Sequence, residues 1–100
     1  MLRHIVLWKF KDEAEGVIKE DNLRKAKSLL ESLPAKVSEI QSYEIGIDTL
    51  RTKTSYDLVL NSTFKDKRAL LAYQSHPDHE MVVEFLRKVQ IGKVVVDYEI

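Results

Sequence analysis

The chain has no cysteine. That removes disulfide bridges, a thiol nucleophile and cysteine-ligated zinc from its chemistry, and it leaves no need for an oxidising compartment. Charge of one sign is also missing, since 16 lysines and arginines balance 16 aspartates and glutamates. Without a net field, neither a nucleic-acid backbone nor an anionic membrane is an expected partner. With two prolines and three glycines there is no linker-like or low-complexity tract, so residues 1–100 read as one domain. The opening apolar run, Met1 to Trp8, is too short for a signal-peptide core or a membrane span. These absences lead us to expect an intracellular, cytoplasmic protein. What is present is 44% hydrophobic residues, enough to build a core.

Leu2 to Phe10 alternates with period two. Leu2, His4, Val6, Trp8 and Phe10 point one way and Arg3, Ile5, Leu7 and Lys9 the other, which predicts a strand apolar on both sides. After a polar turn over Lys11–Gly16, Ile18, Asn22, Leu23, Ala26, Leu29, Leu30 and Leu33 recur at helical spacing. Glu20/Arg24 and Asp21/Lys25 are the expected outward pairs, and Pro34 ends the helix at Leu33. Ile40–Asp48 and Tyr56–Phe64 alternate again as strands two and three, joined by a polar loop carrying Arg51 and Lys53. Those two charges read as solvated loop residues. Gly92 marks a turn into a last strand, Lys93–Ile100. The order β-α-β-β-α-β predicts an α+β ferredoxin-like sandwich with helices on one face of an antiparallel sheet. The other face, with Ile5, Leu7 and Val59, would be an uncovered apolar patch, and a sheet-to-sheet homodimer would bury it.

Proton-handling side chains concentrate in Tyr73-Gln74-Ser75-His76-Pro77-Asp78-His79, with His4 the remaining histidine. Asp66 is placed to cap a helix that must stop near Ser75, because Pro77 lacks an amide hydrogen and clashes with the preceding turn. Pro77 suits the first position of a new helix, with His76 as its N-cap and His79 in its first turn. A helix N-terminus disfavours a protonated imidazole, so His79 is expected to serve as a base or acceptor near neutral pH. Tyr73 supplies a weakly acidic hydroxyl. From spacing alone the plainer reading is favoured, in which His76 is a solvated cap, His79 a hydrogen-bonded interior histidine and Tyr73 a core aromatic with a wet tip. His76-x-x-His79 with His4 lacks a neighbouring acidic ligand, so neither a metal nor a cofactor is expected.

Arg3-His4-Ile5-Val6-Leu7-Trp8-Lys9-Phe10, Ser55-Tyr56-Asp57-Leu58-Val59-Leu60, Tyr73-Gln74-Ser75-His76-Pro77-Asp78-His79 and Val95-Val96-Asp97-Tyr98-Glu99 together resemble the stress-responsive dimeric α/β-barrel (Dabb) family. The likeness covers nearly the whole chain in the right order. It implies a dimeric barrel with both sheets inside and helices outside. It also extends to plant heat-stable stress proteins and to olivetolic acid cyclase, a polyketide cyclase that closes a ring by aldol chemistry. On that resemblance Tyr73 and His79 fall at the catalytic pair, while His4 and His76 line a ligand pocket for a small carbonyl-containing molecule. Three functions are therefore carried forward: a homodimer with a small-molecule pocket, a cyclase-like enzyme using Tyr73 and His79, and a purely structural dimer.

Overall fold

The computed structural model describes all residues, Met1–Ile100. Its elements run β1 (Leu2–Phe10), β2 (Glu13–Ala14), β3 (Val17–Ile18), α1 (Lys19–Glu31), β4 (Ile40–Ile47), β5 (Leu58–Phe64), α2 (Lys67–Ser75), α3 (Pro77–Val89) and β6 (Gln90–Glu99). Apart from the small β2–β3 hairpin this is the expected ferredoxin-like order. The main sheet is antiparallel with strand order β4-β5-β1-β6. The alternation of β1 holds along its whole length: Leu2, His4, Val6, Trp8 and Phe10 are buried under the helices, and the residues between them are half-buried on the opposite face. Leu23, Ala26, Leu30 and Leu33 from the first helix and its end, Leu58, Leu60 and Phe64 from β5, and Val82, Leu86 and Val89 from α3 complete the core with Trp8 and Phe10.

Several local expectations are corrected. The polar turn over Lys11–Gly16 holds a two-residue hairpin instead, with Ala14 opposite Val17. Glu15 and Gly16 both have positive φ, at 54° and 73°, as the tight turn that matches strand twist requires. The buried Asn22 amide donates to the carbonyls of Ala14 and Val17, tying this hairpin to α1. That helix ends at Glu31; Leu33 then bonds back to the Leu30 carbonyl, a tightened last turn ahead of Pro34. The outward pairs also differ. Arg24 bonds Asp21 one turn back, Lys25 sits 4.6 Å over the Phe85 ring, and Glu20 is taken by Arg51, 3.0 Å away. Arg51 is thus part of a surface network that reaches buried Asp57 at 3.9 Å.

Strands two and three are shorter at their facing ends than their alternation implied, because Asp48 and Asp57 already belong to the loop, although the Asp48 amide still bonds the Asp57 carbonyl at 2.9 Å. The last strand begins earlier. Gln90, extended at φ −89° and ψ 150°, is both the C-cap of α3 and the first residue of β6. No glycine turn is needed there. Gly92 lies inside β6 opposite Lys9, next to a register shift at Lys9/Phe10. Gly46 has a stricter reason to be glycine: a Cβ there would sit 3.2 Å from Val59 Cγ1.

Pro77 breaks the helical region as expected. Asp66 caps α2 by accepting from the Ala69 amide at 2.9 Å, α2 stops at Ser75, and His76 is extended. The helices cover one face of the sheet. The other face presents Ile5, Leu7 and Val59, with Val94 and Val96 beside them on β6; Val96 is 58% exposed.

Candidate functional site

Strand register assembles a polar row on the covered face, where an apolar layer would be usual. Tyr43 on β4 is opposite Ser62 on β5, Ser62 is opposite His4 on β1, and His4 is opposite Asp97 on β6. His4 is buried, and its Nδ1–H donates to Asp97 Oδ1 across 2.5 Å. That leaves Nε2 as the imidazole nitrogen without an intramolecular partner. The Ser62 hydroxyl donates to the His4 carbonyl at 2.8 Å, which fixes the backbone under the ring.

Tyr73, on the last turns of α2, is laid over this row and is 1% exposed. Its ring centroid is 4.9 Å from Phe64, 6.0 Å from Tyr43 and 6.4 Å from His4. The two tyrosine hydroxyls are 2.6 Å apart. Burial pushes the Tyr43 hydroxyl well above the usual phenol range, and the neighbouring Tyr73 pushes it further. Tyr73 is pushed up to about 12 by burial, with the Tyr43 hydrogen bond pulling the other way. Both hydroxyls keep their protons near neutral pH, and either can be the donor in this pair. With Tyr43 donating, the Tyr73 hydrogen is free for a third group; with Tyr73 donating, its oxygen keeps lone pairs to accept.

His79 enters from the first turn of α3, because the break at Pro77 turns the chain back over α2. Its ring centroid is 4.3 Å from that of Tyr73. Nδ1–H donates to the Gln74 carbonyl at 3.1 Å, so Nε2 is the nitrogen left with a lone pair. Burial lowers its pKa below the ordinary 6.5; the Gln74 bond and Glu80 oppose this, whereas Lys93 and the neighbouring His4 ring add to it. His79 is a neutral base at pH 7.

His4, Tyr73 and His79 all line one enclosed cavity of about 70 Å³, whose other walls include Val6, Leu60 and Lys93. His76 does not. Its Nδ1 accepts from the Asp78 amide at 3.1 Å, the N-cap bond of α3, and the ring stays at the helix junction outside the cavity wall. Asp97, Tyr43 and Lys93 are the members that sequence reasoning missed. Period-two alternation does put Lys93, Val95 and Asp97 on one side of the last strand, but only the strand register shows that Asp97 lands beside His4. No group of three or more histidines, aspartates and glutamates is arranged to hold a metal ion. No helix is long and apolar enough to cross a membrane.

The fold and the sheet-to-helix cavity define a ferredoxin-like α+β domain. The chain belongs to the Stress Responsive A/B Barrel Domain (Dabb) family, whose model matches residues 2–100. A stress-response A/B barrel domain-containing protein of Arabidopsis thaliana is 32% identical over 87 residues, 84% of this chain and 30% of that protein. The chain thus spans less than a third of the length of this curated relative. A dimeric protein of unknown function with a ferredoxin-like fold from Bacteroides fragilis superposes with a TM-score of 0.86 at 29% identity, over 99% of this chain and 95% of that one. A dimeric ferredoxin-like protein of unknown function from Thermobifida fusca gives a TM-score of 0.86 at 25% identity, over 99% and 90%.

Proposed function

We propose that this chain is a cytoplasmic homodimer that binds a small carbonyl-containing molecule in the cavity between its sheet and helices. The observation that carries the ligand reading is the polar lining of an otherwise apolar core. His4, Tyr73 and His79 meet at one cavity, and each keeps hydrogen-bonding capacity that the protein itself does not use. Buried polar groups left with spare capacity are costly unless something occupies them. With Tyr43 donating to Tyr73, the Tyr73 hydroxyl hydrogen is free and a carbonyl oxygen is its complement. The dimer reading rests on the apolar outer face, on the exposed β6 valines and on the dimeric relatives. A stable interface of this kind buries ~2,000 Å² or more in total. The ligand reading is tested by titrating a neutral methyl ketone, 2-pentanone, against the ¹⁵N-labelled protein. Shifts concentrated at Gln74, His79 and Val83 are expected; shifts scattered over the surface, or none, overturn it.

A second reading is favoured by the state of His79, a neutral base beside a protonated tyrosine. In it, His79 Nε2 takes a proton from the carbon next to the ligand's carbonyl. The C–H electron pair moves into the enolate, and the developing oxyanion is held by the Tyr73 hydroxyl. Return of a proton from His79 to carbon restores the carbonyl, whereas attack of the enolate on a second carbonyl of the same molecule forms the C–C bond of a ring, and the new alkoxide takes the proton back from His79, as in a cyclase. Such groups typically contribute ~10²–10⁴-fold each. Exchange of α-protons of 2-pentanone in D₂O reads this step directly. Acceleration that is lost in His79→Gln and Tyr73→Phe supports proton transfer. Bound ketone with no exchange leaves the domain a binding module.

A further inference from the structure

Four residues, Gln74, His79, Val83 and Lys93, belong both to the enclosed cavity and to an open groove of about 820 Å³ that runs between α3 and the edge strand β6. They form the mouth through which the cavity meets solvent. Lys93 is on the helix-facing side of β6, opposite Trp8, and is the one cation that reaches both spaces. Arg87 stands across the groove on α3. Partial burial lowers the Lys93 pKa, Arg87 lowers it further, and no carboxylate offsets them. Glu80 and Glu84 also line the groove, but Glu80 acts on His79. Lys93 and Arg87 are thus two like charges near each other, and neither forms a salt bridge with Glu80 or Glu84, the carboxylates that share the groove. A bound carboxylate would relieve both their repulsion and the desolvation of the lysine.

Building on the pocket reading above, we infer that Lys93 anchors the ligand: with Arg87 it receives a carboxylate at the cavity mouth while the ligand's carbonyl enters toward Tyr73 and His79. The ligand class is then a small keto acid rather than a neutral ketone. Val83 and the stem of Lys93 cover the short carbon chain between the two ends. In the free protein the nearby ammonium also disfavours protonation of His79.

Levulinate and methyl levulinate share one ketone skeleton and differ in charge, which makes them a matched pair of probes. Titrations followed by ¹H–¹⁵N spectra of the wild type, Lys93→Met and Lys93→Arg test the inference. Levulinate is expected to bind the wild type about tenfold more tightly than its ester, the range for a charge-assisted contact at a partly exposed site. Lys93→Met should weaken levulinate far more than the ester and so remove the preference, and Lys93→Arg should retain most of it. Arg87→Met, at an exposed helix position, is expected to weaken levulinate alone by about threefold. Equal affinity of the two probes for the wild type, or equal weakening of both by Lys93→Met, overturns the role of Lys93 while the pocket stands. If neither probe shifts the cavity residues, the pocket reading fails and this inference falls with it.

Discussion

Both faces of the sheet depart from an ordinary α+β domain, each in its own way. The face under the helices carries a polar row, Tyr43, Ser62, His4 and Asp97, in the middle of the core. The face open to solvent carries Ile5, Leu7, Val59, Val94 and Val96. Hydrophobic burial at about 25 cal/mol per Å² favours an unbroken apolar layer under the helices and a polar outer face in an isolated protomer. Each departure therefore asks for its own explanation: a ligand for the polar row and a second copy for the apolar face. The difference teaches that sidedness, more than composition, separates the site from the interface.

The largest expected effect breaks the outer face. Leu7→Glu would put a carboxylate without a partner into the proposed interface, a change worth about 3–5 kcal/mol. Light scattering should show dimerisation weakened more than about 100-fold, with the fold intact by circular dichroism. A dimer unchanged at micromolar concentration would mean that this face is not the contact.

The polar row gives the next largest effect. Asp97→Ala leaves the buried His4 Nδ1–H without its acceptor, at a cost of about 1–3 kcal/mol, read as a lowered denaturation midpoint. The same substitution made together with His4→Leu should recover much of the loss, because neither polar partner is then left unpaired.

A pH effect separates His79 from the rest of the row. Its folded pKa lies below the ordinary 6.5, so between those values the unfolded chain binds more protons and stability rises with pH. The contribution is full above the unfolded value, declines as pH falls through that window and is gone below the folded pKa. Thermal midpoints of wild type and His79→Gln should therefore converge as the solution is acidified below about pH 6.5. Parallel curves throughout would show that the ring is not desolvated.

The smallest effect belongs to His76. As an N-cap its loss in His76→Ala costs about 0.5–1 kcal/mol, and binding of 2-pentanone should stay unchanged because the ring is outside the cavity wall. A large fall in ketone affinity would return His76 to the site.

Much of this architecture was legible because it is local. Alternation in Leu2–Phe10 set the two faces of β1, and the proline ring at Pro77 forced the break that swings His79 back over Tyr73. What the local pattern could not show depends on register. Asp97 pairs with His4 across 93 residues of sequence separation, and Tyr43 meets Tyr73 across 30. Neither pairing leaves a periodic trace. Gln90 starts β6 without a turn signal because an extended C-cap needs no glycine, so the true start of the strand lay hidden behind the more obvious Gly92. The Glu15-Gly16 hairpin was hidden by its length, two residues on each side.

The central claim is that the cavity under the helices receives a carbonyl compound. A crystal structure of the protein soaked with 2-pentanone tests it most directly. The account predicts ketone density bounded by His4, Tyr73 and His79, with its oxygen within hydrogen-bonding distance of the Tyr73 hydroxyl. A cavity closed by repacked side chains, with the ketone absent or bound only at the outer surface, would contradict it.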